Sequence, residues 1–434
     1  MIVFLIKVRV KTIFSTFNPV MVEPLELCYL KTVLDNMSIE SYLIDDLFRL
    51  KSPKGINPDV VVLNGYNVAE EEIIRVARLF KAKYPKVKTI VGGVHIQGNT
   101  RNFHVEGVDY VFHSQSLNTF RVLIEKILNR DKDFLTEGVD SFIKEEASNR
   151  GYWHIGKKKT IYEREDILAD RSILSQISNK LRYLERRNVA LIKGNIGCPY
   201  HCSYCYCKVL NDNHYVKADY DMMVKEMENI KADYFWIVDD VLFSNRSEAL
   251  DFIEHIKKRN IKIKIIGYLR ADFIVREKDL LIKLKEIGLV EVIVGFEATS
   301  NDELKEYEKT TDALDYPKVI SLLKENNIEL TALFMVRPDY RLRDFWKLRE
   351  FIIDHKIEVF TISILTPIKG TKGYELIKKD LVTQNPRKFD FMHLVLKSKL
   401  PKWIFYTLFY SIHLSLLRSK RIWKYILSIR GDKT

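Results

Sequence analysis

Cysteine is scarce in this chain, with five among 434 residues. Three of the five stand in one short loop, so Cys28 and Cys207 are left without a plausible disulfide framework. Disulfide-stabilised secreted domains are therefore excluded, and we expect a reducing compartment. No second cysteine pair follows the loop, which argues against the usual closed zinc site built from two separated pairs.

Long apolar runs are missing as well. Residues 1–7 are too short for the apolar core of a signal peptide, and basic residues follow them rather than precede them, so we interpret them as a first strand. Residues 403–417 are apolar and aromatic but shorter and more polar than a typical membrane span. The net charge is +12, yet no nucleic-acid-binding motif accompanies it, and we expect no nucleic-acid partner.

The loop of three cysteines is the most informative segment that is present. Three residues separate Cys198 from Cys202 and two separate Cys202 from Cys205, a spacing that lets the thiolates converge on one iron–sulfur cluster. Such a cluster is one protein ligand short, so one iron stays open for a small molecule. Two alternatives stay open: a zinc site with His201 as its fourth ligand, and ordinary buried thiols.

Residues 1–131 have the pattern of an open α/β domain of the Rossmann-like kind. The apolar runs 60–63 and 89–91 alternate with a helical stretch at 70–84, as in a parallel sheet with crossover helices. Ligands of such sheets bind beyond the carboxyl ends of the strands. The residues at those ends are Asn64, Gly65, Gly92, Gly93 and His95. For the two adjacent glycines, a tight turn is the alternative explanation.

Residues 187–375 alternate strands and helices in six β/α units, which predicts a partial β/α barrel. The chemistry of such a barrel lies at the carboxyl ends of its strands. The predicted strands are 189–196, 234–238, 261–266, 290–294, 329–336 and 359–365, and the helices between them are 222–230, 246–258, 278–287, 314–326 and 343–355.

The remaining segments are a connector, residues 132–186, and a helical C-terminal region, residues 376–434. Within the connector, 151–155 and 160–162 flank a run of basic residues, which predicts a small hairpin with a basic tip. The C-terminal region is basic and aromatic and has two interpretations. Either its apolar helix packs on the barrel, or it is an interfacial helix that lies on an anionic membrane.

Several short motifs follow one another in residues 187–375 and resemble those of the radical S-adenosylmethionine (SAM) enzymes. The spacing Cx3Cx2C resembles the cluster signature of that family, and the N-terminal pattern resembles the cobalamin-binding domain that precedes many of its cores. The chain is therefore similar to the cobalamin-dependent radical SAM enzymes. It departs from them in two respects. It lacks an Asp-x-His-x-x-Gly motif, and residues 113–116 stand where the family usually has an acidic turn. The other matching motifs are Asp239-Asp240-Val241-Leu242-Phe243, Arg270-Ala271-Asp272, Gly295-Phe296-Glu297 and Thr366-Pro367.

The resemblance implies a role for each candidate residue. Cys198, Cys202 and Cys205 would bind a 4Fe-4S cluster, whose open iron takes the amino and carboxylate groups of SAM. Contacts to SAM are implied for Tyr204 near the adenine, and for Asp239 and Asp240 at the methionine amino group. Glu297 would face the ribose or the methionine end. Arg270 would bind the methionine carboxylate or, alternatively, form a structural ion pair. Contacts to cobalamin are implied for Asn64, Gly65, Gly92, Gly93 and His95.

The function that this resemblance implies is methyl transfer, from methylcobalamin to a carbon radical on the substrate. The alternative is a non-methylating cyclisation, rearrangement or oxidation with the same cofactors. Neither reaction requires a side-chain acid or base in its central step, so no catalytic residue is assigned. We expect an oxygen-sensitive cytoplasmic enzyme that takes a small-molecule or lipid-like substrate and receives electrons from a donor such as flavodoxin or ferredoxin. Peripheral contact with the inner membrane face through the C-terminal tail is part of this expectation.

Overall fold

The computed structural model describes residues 1–12, 15, 18–131, 136–144, 151–158, 165 and 167–431. The strands are β1 Ile2–Lys7, β2 Val20–Met21, β3 Glu40–Asp45, β4 Val60–Asn64, β5 Lys88–Gly92, β6 Tyr110–Phe112, β7 Val139–Lys144, β8 Gly151–His154, β9 Arg182–Tyr183, β10 Arg186–Arg187, β11 Val189–Ile192, β12 Ile196–Gly197, β13 Tyr215–Val216, β14 Tyr234–Ile237, β15 Ile265–Tyr268, β16 Leu289–Glu297, β17 Glu329–Val336 and β18 Val359–Ile364. The helices are α1 Leu25–Asn36, α2 Glu70–Lys83, α3 Val94–Gly98, α4 Leu117–Leu128, α5 Leu174–Ile177, α6 Cys207–Leu210, α7 Tyr220–Glu228, α8 Arg246–Arg259, α9 Ala271–Arg276, α10 Leu280–Glu286, α11 Asn301–Glu306, α12 Tyr316–Glu325, α13 Leu342–Asp354, α14 Lys372–Ile377, α15 Lys402–His413 and α16 Lys420–Gly431.

The N-terminal sheet has seven strands in the order β3-β1-β4-β5-β6-β7-β8. The first five are parallel, and their chain order is that of a doubly wound sheet whose winding reverses between β1 and β4. Strands β7 and β8 continue the sheet in antiparallel pairing. The predicted Rossmann-like α/β domain is confirmed, and its sheet continues beyond residue 131 into the segment predicted as connector.

Both faces of this sheet are covered by helices, which explains why its strands are continuously apolar rather than alternating. On one face α1 and α4 pack on Val3, Leu5 and Val62, and on the other face α2 packs on Phe4 and Val61. Successive residues of a strand point to opposite faces, so each strand supplies two separate cores. The carboxyl ends of these rigid strands are therefore held in fixed positions.

The second large sheet has six parallel strands in sequential order, β11-β14-β15-β16-β17-β18. Its outer strands, β11 and β18, are not paired with each other in the described chain, so the barrel is partial, as predicted. The first strand ends at Ile192 instead of residue 196, because the amides of Gly194 and Asn195 bind the Asp239 carboxylate. The third strand begins at Ile265 instead of residue 261, because its ladder to β14 covers only two residue pairs.

The structure bears differently on the predicted hairpin of the connector and on the predicted helices of the C-terminal region. Gly151–His154 pairs with β7, whereas the predicted partner segment, 160–162, lies outside the described residues. The C-terminal region is helical as predicted, and α15 buries Phe405, Phe409 and Ile412 in the barrel core. Within the described ranges, we find no helix whose length and apolarity would let it traverse a bilayer.

Candidate functional site

A cavity of about 950 Å³ lies between the carboxyl ends of the strands of the two large sheets. The N-terminal sheet contributes the ends of β1, β4 and β5, and the barrel contributes the ends of β11, β14, β15 and β16. All three loop cysteines line it, and so do the glycines and the asparagine that end the N-terminal strands. The two sets of residues predicted from separate parts of the chain therefore share one site.

The cysteine loop is fixed at its start by Asp239, which is buried beyond the end of β14. One carboxylate oxygen accepts a hydrogen bond from Gly194 N at 2.7 Å and the other from Asn195 N at 2.7 Å. The Asn195 side chain in turn donates to the carbonyls of Val241 and Leu242. The chain is thus held firmly just before Cys198.

The middle of the loop is fixed from two other elements. Ser203 N donates to the Tyr307 carbonyl at 2.9 Å, and Gly373 N donates to the Ser203 carbonyl at 2.8 Å. Gly373 packs closely on the loop, since a Cβ there would lie 3.1 Å from the Ser203 carbonyl oxygen. These backbone contacts set the positions of the thiols without using any cysteine side chain.

The three thiols have a donor set that fits an iron–sulfur cluster. All are free and partly exposed to the shared cavity. Burial raises the pKa of the Cys205 thiol to about 12 and also raises that of Cys198. Thiolates form at such positions when a bound metal supplies positive charge.

The zinc alternative has no corresponding arrangement in the described part of the chain. No group of three or more His, Cys, Asp or Glu side chains there is placed to hold a single ion. His201 is exposed and is not among the residues that line the cavity. A cluster of four irons is wider than one ion, so its three cysteines need not lie within reach of a single point.

Asp239 and Asp240 occupy different environments. Both oxygens of Asp239 are engaged by backbone amides, so this residue positions the loop. Asp240 is exposed to the cavity and has Lys193 Nζ 3.8 Å from its carboxylate. Both residues are predicted to contact the methionine amino group. Of the two, Asp240 is the residue whose carboxylate does not accept hydrogen bonds from the amides of Gly194 and Asn195.

Arg270 forms the ion pair that the sequence left as one of two possibilities. Its guanidinium donates to Asp272 at 2.9 and 3.1 Å and to Thr310 Oγ1 at 2.8 Å, and it lies 3.6 Å from the centre of the Tyr200 ring. Arg270 also lines the cavity. Arg270 is therefore held rigidly at the cavity wall by groups of the protein itself.

Glu297 ends β16 with a backbone in the left-handed region, at φ 66°. A residue with a side chain adopts this region only at an energetic cost, and such strain is concentrated at functional sites. Lys309 Nζ lies 3.2 Å from its carboxylate, and Gly295 leaves the space into which that carboxylate folds. Tyr204 lies on the same wall, with its ring edge-on to Tyr307 at 5.4 Å, and burial raises its pKa.

On the N-terminal side, Asn64 organises the strand ends. It accepts a hydrogen bond from Lys7 Nζ at 2.7 Å and donates to the Gly92 carbonyl at 3.2 Å. Gly93 has φ 118°, and a Cβ there would collide with the Asn64 amide. Gly65 is crowded as well, since a Cβ on it would lie 3.0 Å from both the Ile73 side chain and the Val8 carbonyl oxygen. The backbone conformation therefore requires a glycine at Gly93, and both glycines leave bare backbone at the cavity.

His95 does not line the cavity. Its Nε2 lies 2.6 Å from Glu70 Oε2, and its ring is edge-on to Phe103 at 6.0 Å. Any contact to a corrin therefore stays a prediction for this residue. The other four predicted N-terminal residues, Asn64, Gly65, Gly92 and Gly93, do line the cavity.

An acid reaches the cavity where the sequence lacks the expected acidic turn. Glu165 accepts hydrogen bonds from Ser116 Oγ and Leu117 N, both at 2.5 Å, and from Asn118 N at 3.0 Å. These groups form the amino terminus of α4, which favours a negative charge. Glu165 lies nearly fifty positions away in sequence, so no local motif could have indicated it.

Comparison with known proteins agrees with this geometry. Residues 193–352, which contain the cysteine loop and most of the barrel, match the pattern of the Radical SAM superfamily. The chain carries a radical SAM domain. Its overall fold resembles that of TsrM from Kitasatospora setae, a radical SAM methyltransferase solved with cobalamin and a 4Fe-4S cluster, with a TM-score of 0.67, 14% identity and coverage of 87% of this chain and 75% of that one.

Two curated relatives extend the similarity beyond the radical SAM domain. The hopanoid C-3 methylase of Methylococcus capsulatus is 24% identical over 353 residues, which are 80% of this chain and 66% of the relative. The anaerobic magnesium-protoporphyrin IX monomethyl ester cyclase of Synechocystis is 26% identical over 254 residues, 56% of this chain and 50% of the relative. The chain thus spans less than two thirds of the length of these relatives. The predicted resemblance to cobalamin-dependent radical SAM enzymes is confirmed.

Besides Glu165, sequence reasoning missed the floor of the radical SAM domain. Trp236 and Tyr268 lie on adjacent strands with nearly parallel rings 6.3 Å apart. They line the cavity together with Leu191, Ile293 and Leu333. Because aromatic residues on buried strands are ordinary core residues, only the topology reveals that these side chains face an open space.

Proposed function

We propose that this chain is a cobalamin-dependent radical SAM methyltransferase that places a methyl group on a carbon of its substrate. The observation that carries the proposal is the shared cavity, with three cysteines on one wall and the carboxyl ends of a doubly wound sheet on the other. When bound, the cluster supplies the electron that cleaves SAM, and cobalamin relays the methyl group. Similarity to TsrM and to the hopanoid methylase supports this assignment.

The cysteine wall fits a 4Fe-4S cluster and SAM. Cys198, Cys202 and Cys205 would bind three irons and leave the fourth for SAM. Asp240 would accept hydrogen bonds from the ammonium of the methionine moiety, as a carboxylate does well in a partly dry site. Glu297, fixed by Lys309, would bind the ribose or the methionine end of the same molecule.

The opposite wall fits a large planar cofactor such as cobalamin. Gly65, Gly92 and Gly93 present backbone without side chains at the cavity, which lets a bulky ligand approach closely. Asn64 and residues 114–116 add amide and hydroxyl groups that suit the amide-bearing rim of a corrin. This wall lies where the winding of the sheet reverses, the usual ligand position of doubly wound folds.

The substrate of this enzyme is, in this proposal, a small apolar or lipid-like molecule. The aromatic and aliphatic floor formed by Trp236, Tyr268 and Leu333 supports that class. We further propose a cytoplasmic enzyme that receives electrons from a donor such as flavodoxin or ferredoxin and lies at the inner membrane face.

The second candidate function uses the same cofactors without methyl transfer. It is favoured by the similarity to the magnesium-protoporphyrin cyclases, whose reaction name specifies ring closure. A single product analysis separates the two. The holoenzyme is incubated anaerobically with methyl-labelled SAM, a strong reductant and an apolar extract of the cells in which the protein naturally occurs.

Methyl transfer predicts label in an apolar product, together with both S-adenosylhomocysteine and 5′-deoxyadenosine. The alternative predicts 5′-deoxyadenosine without label in any product. Absence of both nucleoside products would contradict the two proposals together.

A further inference from the structure

The last two helices expose an apolar surface that the cofactor site does not use. We call it the tail surface and define it by Trp403, Tyr410, Leu414, Leu417, Trp423 and Leu427, all of which are at least 40% exposed.

The tail surface begins as a stripe on one face of α15. Trp403 and Tyr410 are seven residues apart on α15, and Leu414, four residues further, directly follows the helix, so the three lie on the same side. The opposite side of α15 carries Phe405 and Phe409, both fully buried in the barrel core. The helix is therefore already packed, and its outward stripe is a second apolar face.

The stripe continues onto α16. Trp423 donates its indole N–H to the Leu417 carbonyl at 2.7 Å, which joins the two segments. Leu427 lies one turn after Trp423 and is 60% exposed. A contiguous exposed surface of large apolar side chains is uncommon on a protein that works alone in water.

Charge indicates what covers the tail surface. Residues 397–431 contain no Asp or Glu. Basic side chains border the apolar ones, and in the described part of the chain none of them forms an ion pair; they are Lys402, Arg418, Lys420 and Lys424. Two copies of this chain meeting through that surface would bring like charges together, which disfavours self-association.

We infer that the tail surface binds an anionic lipid bilayer. Tryptophan and leucine with flanking lysine and arginine are the composition of helices that lie in the plane of a membrane interface. The negative surface potential of acidic lipids attracts such basic residues. This inference deepens the peripheral location given above for the proposed function.

None of the residues that define the tail surface lines the cofactor cavity, and the α16 end of that surface is remote from it. Arg421, on the inward side of α16, binds Glu291 at 2.9 Å near the amino end of β16, whereas Glu297 ends the same strand at the cavity. Six residues of strand span about 20 Å. Changes to the tail surface should therefore leave SAM cleavage intact, which separates failure of this inference from failure of the proposed function.

The test is sedimentation of the full-length, anaerobically prepared protein with vesicles. One vesicle type is phosphatidylcholine alone and the other contains phosphatidylglycerol. We expect binding to the anionic vesicles that weakens with added salt. The double variant Lys420→Gln/Lys424→Gln should bind roughly 25-fold more weakly, at about fivefold per charge. Trp403→Ser/Trp423→Ser should lose at least about tenfold.

Matched control variants remove the same kinds of side chain, charged and apolar, from a different part of the protein surface. Lys318→Gln/Lys324→Gln removes two exposed charges from α12, and Leu314→Ser removes an exposed apolar side chain just before that helix. Both controls should bind vesicles as the wild type does, and circular dichroism should show every variant folded. SAM cleavage by the tail variants should equal that of the wild type.

Three results would overturn the inference. One is wild-type protein that stays in the supernatant with anionic vesicles at low salt. Another is equal binding by the tail variants and the controls. The third is a dimer in light scattering that the tail variants abolish, because the surface would then be covered by a second copy.

Discussion

Asp239→Asn should loosen the cysteine loop while leaving its cysteines unchanged. Asp239 is 2% exposed, and its two oxygens accept the amides of Gly194 and Asn195, both at 2.7 Å. Asparagine keeps one carbonyl acceptor, but its NH2 group would face the second amide, donor against donor. A hydrogen bond to a charged acceptor contributes about 1.5 to 3 kcal/mol, and an unsatisfied buried amide costs a similar amount.

The expected loss in local stability is therefore about 2 to 3 kcal/mol. Hydrogen–deuterium exchange measures it directly, because a peptide covering residues 193–206 should exchange roughly 30- to 150-fold faster. The anaerobically prepared variant should also retain less iron than the wild type. Peptides from the N-terminal sheet should exchange at the wild-type rate, since Asp239 does not touch them.

Asp240→Asn is the matched control. It makes the same chemical change one residue later, where the carboxylate lies at the cavity. We expect wild-type exchange over residues 193–206 and full iron, together with weaker binding of SAM. Wild-type exchange and full iron in Asp239→Asn would refute the assigned positioning role.

Three further changes test other parts of the structure. Arg421→Met removes one partner of the fully buried Glu291, and urea unfolding should show a loss of about 3 kcal/mol; an unchanged midpoint would contradict this. Burial alone would raise the pKa of Asp140, but hydrogen bonds from two histidines lower it overall. The ionised Asp140 therefore stabilises the fold above about pH 4, and this contribution is lost as pH falls further. Asp140→Asn should accordingly reduce the loss of unfolding free energy at acid pH, measured by unfolding at a series of pH values. Gly93→Ala should destabilise the protein by about 1 to 3 kcal/mol because φ is positive there, whereas Gly92→Ala, with ordinary 3.4 Å contacts, should unfold much like the wild type.

The elements that the sequence predicted well are those whose pattern is local. Continuous apolar strands and the helices between them follow from hydrophobic periodicity, and the doubly wound and sequential sheets follow from their alternation. The cysteine loop was also local, since its spacing alone restricts the ligand set. Strand ends were less accurate, as at residues 192–196, where a distant carboxylate captures the backbone amides that a longer strand would need.

The parts of the site that escaped prediction depend on long-range contacts. Glu165 reaches the start of α4 from the connector, and Lys7 at the end of β1 donates to Asn64 at the end of the adjacent strand β4. The separate roles of Asp239 and Asp240 depend on which way adjacent side chains point at a strand end. Tertiary packing determines these three features, and it cannot be inferred from a single sequence.

The most direct test of the central claim uses the anaerobically reconstituted full-length protein with SAM and dithionite. A cluster bound by three cysteines with one open iron predicts about four irons per chain and formation of 5′-deoxyadenosine. Replacing Cys198, Cys202 or Cys205 with alanine should abolish the nucleoside and lower the iron, whereas Cys207→Ala should retain both. Full iron and undiminished 5′-deoxyadenosine in the three loop variants would contradict the account.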